Sequence, residues 1–429
     1  MKTEYDQAGA GSECAVPSYT LLPIEGHYDF ISSVFSDGLS SVVNEDGSCG
    51  YIDRTGKLTI PMEYRTPVEK VTVDDGETYY RFDLDPDFVD GIACVSDKNG
   101  KFGYINTKGE CVIPFVFDEA EPLSFSYAKV RRDGRYAYID RRGEIIFWFD
   151  EIERDENPEE LLLFDGELIC VIRDGKLGYV NTRGETVIPF IYDDPWKYGY
   201  PSFFSDGLLP VRLNRKWGYI NEQGQTVIAP TLEYDRVRHF SFGVAVVESG
   251  EYEDIEPRGG DTRAERRQWI KRRRANMRCG MIDMTGRLAV PAEYTQIWGG
   301  GENGHFLAER GDEYFIIDAK GAVVSAIDGY DFVTSMCGYL RAERDGTTAL
   351  LDYDGNTLIP PHYENVIINV TASGVRAIVT DKESGKYGVI DLNGNVIVPL
   401  DFDTLGPFDR DGYTVAERDG KRYILHIGA

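Results

Sequence analysis

Clustered carboxylates are the first residues of this sequence whose type and spacing suggest chemistry. The segment DLDPDFVDG, residues 83–91, holds four Asp side chains within nine positions. Carboxylate oxygens are the ligands that Ca²⁺ prefers, but the segment lacks the ligand spacing of an EF-hand loop. We therefore interpret it as an acidic surface loop, and we predict no metal site.

Motifs for catalysis are absent from the sequence. It contains no Walker A motif, no GxGxxG that opens a helix, no GxSxG and no HExxH. His239 and His305 occupy related positions before strands, which indicates structural roles. We predict no enzymatic activity, no catalytic residues and no cofactor. A hydrolase whose site is assembled from distant loops is the least favoured alternative.

The seven cysteines point to a reducing compartment. Their number is odd and no two have CxxC spacing, so the sequence predicts neither a disulfide framework nor a zinc site. The N-terminus lacks the apolar segment of a signal peptide, and no apolar run is long enough to cross a membrane. We expect a bacterial type of cytoplasm, or export if a signal peptide has been removed.

The chain is strongly acidic, with a formal net charge of −27 over 429 residues. Such a surface repels phosphate backbones, so we expect no nucleic-acid binding by the bulk of the chain. It attracts cations and basic partners, and it also keeps a protein soluble. Charge alone does not choose between these two roles.

An internal repeat positions most of these residues. The pattern GYIN-x-x-G-x-x-x-x-P recurs in nine copies, with a basic period of about 34–41 residues and two longer spacings. Each copy resembles a β-meander, in which an alternating strand such as GLLPVRL is followed by KWGYIN and QTVIAP. The turn glycines are Gly56, Gly109, Gly143, Gly184, Gly224, Gly286, Gly321, Gly355 and Gly394.

An Asp or Asn stands three residues before every one of these glycines. Asx at position i with Gly at i+3 predicts a type I turn whose side chain binds nearby backbone. Asn replaces Asp in three copies, so the position does not require a charge and we assign it no catalytic role. The nine residues are Asp53, Asn106, Asp140, Asn181, Asn221, Asp283, Asp318, Asp352 and Asp391.

Aromatic side chains also recur at fixed places in the repeat. A Pro ends the third strand in seven copies, and a Tyr or Phe follows it three or four residues later, as in Pro189 and Tyr192. We predict that these aromatics belong to the core. Trp217 shares its position with Cys49, Leu177 and other unlike residues, which favours a packing slot over a ligand platform.

The segment KWGYINEQGQTVIAP, residues 216–230, together with the preceding F-x-DG-L strand start, resembles the WG (KWG) β-repeat family of bacterial proteins. The resemblance extends over roughly residues 20–425, and its specificity comes from repetition. It implies tandem all-β repeats and an interaction role, with no established activity and no catalytic residues. The chain departs from the family pattern in having the signature Trp in one copy.

The two ends of the chain resemble complementary halves of one unit. YTLLP from Tyr19 matches the end of a unit, and the C-terminal RYILHI matches a middle strand. Counting this split unit gives ten, more than the usual number of blades in a propeller. We predict an all-β fold of tandem β-meander repeats that form an elongated curved array. A β-propeller, or two propellers, is the alternative.

One charged insertion interrupts the repeats at residues 248–278, within a hairpin of the array that spans 19–429; residues 1–18 form an N-terminal tail. Residues 248–256 carry five acids, whereas 258–278 carry nine basic residues and two acids. Asp261 is an N-cap candidate and 262–277 contain good helix formers, which predicts a short helix. We expect this helix either to dock on the acidic protein itself or to project as a contact element for an acidic partner or a membrane surface.

The sequence favours a non-enzymatic repeat scaffold that binds another protein, whose identity it does not reveal. A carbohydrate-binding module is the alternative, and exposed aromatics such as Trp196, Tyr200 and Trp298 would serve it. The candidate partner-binding residues lie in the insertion: Arg266, Arg267, Trp269, Lys271, Arg272, Arg273 and Arg274.

Overall fold

The structure is a computed structural model of the whole chain. It describes residues 19–72, 78–82, 86–124, 127–149, 164–165, 168–173, 175–181, 183, 185–193, 203–250 and 263–428. The expected N-terminal tail, the N-cap candidate Asp261 and the carboxylates Asp83 and Asp85 lie outside the described residues. Within them, forty strands and one helix are assigned.

The strands form ten antiparallel units, numbered here along the chain. Strand β1, Tyr19–Pro23, precedes unit 1, and a hairpin of β6 (Val68–Thr72) and β7 (Thr78–Phe82) follows unit 1. Units 1 to 5 comprise β2 (Phe30–Ile31), β3 (Leu39–Val43), β4 (Ser48–Asp53), β5 (Leu58–Arg65); β8 (Ile92–Ser96), β9 (Phe102–Asn106), β10 (Cys111–Phe117); β11 (Glu119–Ala120), β12 (Tyr127–Arg132), β13 (Arg135–Asp140), β14 (Ile145–Phe149); β15 (Phe164–Asp165), β16 (Leu168–Arg173), β17 (Lys176–Asn181), β18 (Thr186–Asp193); β19 (Leu208–Leu213), β20 (Lys216–Asn221), β21 (Thr226–Leu232).

Units 6 to 10 have the same organisation. They comprise β22 (Arg236–Ser241), β23 (Val244–Ser249), β24 (Arg278–Asp283), β25 (Leu288–Tyr294); β26 (Gln296–Ile297), β27 (Phe306–Arg310), β28 (Glu313–Ile317), β29 (Val323–Ile327); β30 (Phe332–Met336), β31 (Tyr339–Arg344), β32 (Thr347–Leu351), β33 (Thr357–Tyr363); β34 (Asn365–Thr371), β35 (Gly374–Thr380), β36 (Tyr387–Ile390), β37 (Val396–Phe402); β38 (Thr404–Leu405), β39 (Tyr413–Arg418), β40 (Lys421–Ile427).

Each unit is a meander in which strands that follow one another in the chain pair antiparallel. The inner strands, such as β19 and β20, are buried along most of their length. In unit 5, Val211 pairs with Gly218 and Arg212 pairs with Trp217, while Tyr219 on β20 pairs with Ile228 on β21. Units 1 and 2 are joined into one sheet by a single pair, Arg65 with Ser96. The expected all-β repeats are present, built from small antiparallel sheets.

The two ends of the chain meet in unit 10. Strand β1 pairs antiparallel with β40 along its whole length, from Tyr19 opposite Ile427 to Pro23 opposite Tyr423. The sheet order is β1-β40-β39-β38, so β1 supplies the fourth strand that the end of the chain lacks. The complementary halves seen in the sequence therefore form one sheet, and the expected elongated array is not confirmed.

Buried side chains connect the units in a closed circuit. Every pair of successive units shares an apolar cluster, such as the one that joins Trp217 of unit 5 to Phe240 of unit 6. A further cluster returns from unit 10 to unit 1 through Val415, Ile424 and Phe35. The core is thus divided into ten layers between sheets, and each layer is formed by two units.

Helix α1, Arg263–Arg274, lies between β23 and β24. The two strands extend further into the insertion than the sequence suggested, because Glu248 pairs with Cys279 and Ser249 with Arg278. The chain closes tightly beneath the helix: a Cβ atom on Gly250 would lie 2.4 Å from the carbonyl oxygen of Asn276. The insertion is therefore a long loop, containing α1, at the end of the hairpin formed by β23 and β24.

Candidate functional site

Trp217 fills a slot inside the repeat. Its side chain is 1% exposed, and its indole nitrogen donates a hydrogen bond to the carbonyl oxygen of Asp235 at 3.3 Å. The corresponding Cys49 and Leu177 are also fully buried. The prediction of a packing slot of variable size is confirmed, and this aromatic residue offers no exposed surface to a ligand.

The glycine after this slot, present in six units, lies at a close approach of backbone. A Cβ atom on Gly218 would lie 2.6 Å from the carbonyl oxygen of Ile228, and the other five glycines at this position are similarly crowded. All seven units that carry the strand-ending Pro have an irregular register here. The two copies without Pro carry Ala137 and Phe315, pair regularly at this position and shift register only further along the strand. Unit 8 has the Pro and the irregular register but carries Ala349.

The nine Asx turns form as predicted. In every copy the Asx side-chain oxygen accepts hydrogen bonds from the backbone N–H groups of the residues two and four positions later. For Asp283, hydrogen bonds from the side chain and backbone of Thr285 lower the pKa of the carboxyl. These carboxylates stabilise turns, and their oxygens are occupied by that role.

Helix α1 docks on units 7 and 8 through one face. Arg267, Lys271 and Arg274 are spaced i, i+4 and i+7, which places them on the same side of the helix. Arg267 forms an ion pair with Glu343 of β31, and Arg274 lies 3.4 Å from Glu309 of β27. This inner face of α1 is therefore bound to carboxylates of its own chain.

Two further cationic contacts reinforce the inner face. The Lys271 ammonium lies 3.0 Å from Asp312 and 5.5 Å from the centre of the Tyr314 ring. The Arg274 guanidinium lies 5.3 Å from the centre of the Trp298 ring. Cations over aromatic rings are attracted by the negative face of the ring, so these contacts add to the ion pairs.

Of the remaining predicted site residues, three are exposed and one is half-buried. Arg266, Arg272 and Arg273 are exposed, and together they define the outer face of α1. Trp269 is half-buried, and the Arg273 guanidinium lies 5.3 Å from the centre of its ring. The structure thus divides the six cationic candidates into three that dock the helix and three that are exposed, with the half-buried Trp269 as the seventh residue.

The docked carboxylates belong to a recurring position that sequence reasoning missed. Glu248, Glu309 and Glu343 occupy the same place in the second strands of units 6, 7 and 8, opposite the slot residue of the third strand. All three are buried, with exposed fractions of 0%, 3% and 4%. The sequence signal for two of them is the recurrent triplet Ala-Glu-Arg at 308–310 and 342–344, which also occurs at 416–418, where Glu417 is half-buried.

The three buried glutamates differ in the source of their counterions. Glu248 is paired within its own unit, 2.5 Å from Arg238 and 3.5 Å from Arg236. Glu309 instead receives the cation of Arg274 from α1. Burial raises the pKa of Glu309, and the charges of Arg274 and Lys271 oppose that rise. Glu343 receives Arg267 from α1 and Arg341, at 2.9 Å, from its own strand.

Other candidate groups are engaged structurally. The Asp87 carboxylate accepts hydrogen bonds from Ser32 at 2.7 Å and Ser41 at 2.6 Å. His239 stacks on Phe203 with ring centres 3.8 Å apart. Within the described ranges, no group of three or more His, Cys, Asp or Glu side chains is arranged to hold a metal ion.

Buried thiols are unsuited to nucleophilic chemistry. Burial raises the pKa of Cys49, Cys94 and Cys279 to about 12 in each case, which keeps the thiol protonated at neutral pH. Of the aromatics considered for carbohydrate binding, Trp298 is half-buried beneath Arg274, and Trp196 and Tyr200 lie outside the described residues. In the part of the chain that the structure describes, no helix has the length and apolar character needed to span a bilayer.

Comparison with protein families identifies the repeat. The model of the WG containing repeat matches residues 50–65, 102–136, 178–217, 217–252 and 387–421. The chain carries WG repeats. Two of the matched segments meet at Trp217, and each WG match spans strands of the meander described above. No curated protein matches the chain.

Several solved structures resemble the WG-repeat chain. A eukaryotic initiation factor is 9% identical, with a TM-score of 0.49 and coverage of 89% of this chain and 96% of the other. BamB from Moraxella catarrhalis is 13% identical, with a TM-score of 0.32 and coverage of 79% and 97%. The Dos1 propeller is 12% identical, with a TM-score of 0.33 and coverage of 95% of both chains.

Proposed function

We propose that this WG-repeat protein is a non-enzymatic scaffold, a closed propeller-like ring of ten β units, that binds another protein through helix α1. The observation that carries the proposal is the division of α1 into two faces. Its inner cations are bound to Glu309, Asp312 and Glu343, whereas its outer cations are exposed. The helix is thus fixed to a rigid body with one basic face toward solvent.

The exposed cations fit a partner with an acidic surface. Arg266, Arg272 and Arg273 lie on a chain whose net charge is −27, so they form a local basic site on an acidic body. Arginine is well suited to such contacts because its planar guanidinium binds carboxylates through two parallel hydrogen bonds. Docking of the inner face reduces the conformational entropy that the helix would lose on binding, which favours affinity.

The test is affinity capture from the native cell with three versions of the purified chain. One is intact, one carries Arg266→Glu, Arg272→Glu and Arg273→Glu, and one is a charge-matched control. The control carries Lys98→Glu, Lys108→Glu and Arg142→Glu, three exposed cations of other units. We expect one identified protein to be retained by the intact and control chains and lost with the α1 variant.

Direct titration with the purified partner then measures the effect, which we expect to be at least a tenfold loss of affinity for the α1 variant. The affinity should also fall as the salt concentration rises, because exposed charges are screened. Retention of the same proteins by all three chains, or of none by any, would contradict the proposal.

A further inference from the structure

The surface beneath α1 has the chemistry of a receptor for cations. Glu309 and Glu343 are buried at equivalent positions of adjacent units, and α1 supplies a cation to each of them. In unit 6 the equivalent Glu248 is paired with two arginines of its own unit, whereas Glu343 has one such partner, Arg341, beside the cation from α1. A buried carboxylate without its counterion is costly, so the carboxylates of units 7 and 8 are suited to a cation brought from outside the sheet.

The contact of α1 with this surface is predominantly ionic. Trp269 and Ile270 are the only large apolar residues of the helix, and both are half-buried. A helix that docks on a core normally carries a wide apolar stripe, which α1 lacks. Buried ion pairs such as Arg267–Glu343 and Arg274–Glu309 are screened little by salt, but cations from another molecule can satisfy the same carboxylates. The contact of α1 is therefore one that a competing arginine-rich segment can replace.

Space remains beside the docked helix. A cavity of about 460 Å³ lies between α1 and unit 8, lined by Arg267, Gln268, Lys271, Asp312, Tyr330 and Asp331. Two carboxylates and an aromatic ring around one opening match the needs of a guanidinium group. Arg267, which pairs with Glu343, lines this cavity. A competing cation can therefore approach the N-terminal part of α1, which is the part farther from β24.

The two ends of α1 are held differently. At its C-terminal end, Met277 is fully buried and its backbone N–H binds the carbonyl oxygen of Arg274 at 2.8 Å. At its N-terminal end, twelve residues separate Gly250 from Arg263. The short connection of residues 275–277 ties α1 to β24. The carboxylates beneath the helix favour an incoming segment that carries arginines, as α1 does.

We infer that the acidic surface formed by Glu309, Asp312, Asp331 and Glu343 is a second docking site of the protein, for an arginine-rich helical segment of a partner, and that α1 covers it in the absence of that partner. The inner face of α1 acts as an autoinhibitory contact. Displacement of α1 by the partner exchanges one set of arginines for another on the same carboxylates. This site is distinct from the outer face of α1 and does not depend on the function proposed for it.

The test deletes α1 from the chain and adds the helix back as a separate peptide in solution. Deletion of residues 251–275 joins Gly250 to Asn276, which are already adjacent, and restores a short hairpin between β23 and β24. The probe is a fluorescent synthetic peptide of residues 261–278, titrated at low ionic strength. We expect the deleted chain to bind the peptide at least tenfold more tightly than the intact chain, which still carries its own helix.

Two matched pairs of controls make the result specific. A peptide with Arg267→Gln, Lys271→Gln and Arg274→Gln should lose binding at least tenfold, whereas one with Arg266→Gln, Arg272→Gln and Arg273→Gln, which has the same net charge, should lose much less. In the deleted chain, Glu309→Gln with Glu343→Gln should weaken binding at least tenfold, and the exposed pair Glu302→Gln with Glu313→Gln should not.

Circular dichroism of each chain confirms that it is folded. The inference is overturned if the folded, deleted chain does not bind the peptide, or binds it no more tightly than the intact chain does. It is also overturned if the two charge-matched peptides bind equally, since attraction to the net charge of the protein then explains the result. Neither outcome bears on the partner of the outer face, which is tested with intact α1.

Discussion

Tyr19 at the start of β1 lies opposite Ile427 at the end of β40, so the first and last described strands are neighbours in one sheet. The pairing completes unit 10, and the apolar cluster of that unit includes Leu21 of β1. The paired residues Tyr19 and Ile427 lie near opposite ends of the described sequence, so this contact joins residues that are very far apart along the chain. Closure of the circuit therefore combines this five-residue strand with the cluster of Val415, Ile424 and Phe35.

Substitution within β1 tests this closure. Leu21 packs against the core between units 9 and 10, whereas the adjacent Leu22 is 41% exposed because successive residues of a strand face opposite sides. We expect Leu21→Asp to lower the free energy of unfolding by about 3 kcal/mol, since it places a charge at a partly buried apolar position. Urea denaturation measures the change.

Leu22→Asp is the control for the same strand and should change stability by about 0.5 kcal/mol or less, as is usual at exposed positions. Equal effects of the two substitutions would mean that β1 does not pack as described.

The crowded glycines give a second prediction. Gly218→Ala places a methyl group 2.6 Å from the Ile228 carbonyl oxygen, where backbone must move to accept it. We expect a loss of about 2 kcal/mol in the free energy of unfolding, typical of overpacking against fixed atoms. The control is Gly299→Ala, because a Cβ atom there meets nothing within 4 Å. A neutral Gly218→Ala variant would contradict the close approach.

The Asx turns predict which substitutions the repeat tolerates. Asn221 accepts hydrogen bonds from the backbone N–H groups of Gln223 at 3.1 Å and Gln225 at 2.8 Å. Asn221→Ala should cost about 1 kcal/mol in thermal or chemical unfolding, the usual net value of a lost hydrogen bond. Asn221→Asp keeps the acceptor oxygen and should be nearly neutral at pH 7. Equal losses of stability in both variants would show that the side-chain acceptor oxygen of Asn221 does not stabilise the turn.

Acid titration tests the charged form of the same turn. Hydrogen bonds from Thr285 lower the pKa of Asp283 below its ordinary value of about 3.9. A lowered pKa means that the unfolded chain binds the proton more readily, so the stabilisation is present above that ordinary value and is lost as the pH falls through the folded pKa. Asp283→Asn removes this titration.

We therefore expect the intact chain and Asp283→Asn to be similarly stable at pH 7, with the variant losing less stability between pH 5 and pH 3. Urea unfolding at several pH values gives the two curves. Parallel curves would mean that Asp283 titrates alike in the folded and unfolded chains.

Local patterns in the sequence predict the repeat well. The Asx–Gly spacing specifies a turn by hydrogen bonds within five residues, and the apolar slot at Trp217 follows from comparison of copies. The split unit was also visible in the sequence, because Tyr19–Pro23 resembles a fourth strand. What the sequence did not settle was whether those halves meet, since that depends on the summed rotation of all the units.

The docking of α1 was beyond sequence reasoning for a different physical reason. Helix propensity and charge indicated a basic helix, but the choice of Glu309 and Glu343 as counterions depends on where the hairpin end places it over units 7 and 8. Buried acids at those positions also contradict the usual expectation that an isolated Glu faces solvent. The recurrent Ala-Glu-Arg triplet was the available signal.

The pairing of β1 with β40 also determines when this sheet can be completed during protein synthesis. Of the described strands, the ribosome releases β1 first and β40 last, so β1 has no partner strand until the others have emerged. Until then the nascent chain presents β1 as an unpaired segment with open edges. Exposed edges of this kind are where chains associate wrongly, which makes a prematurely terminated product more prone to aggregation than the finished protein.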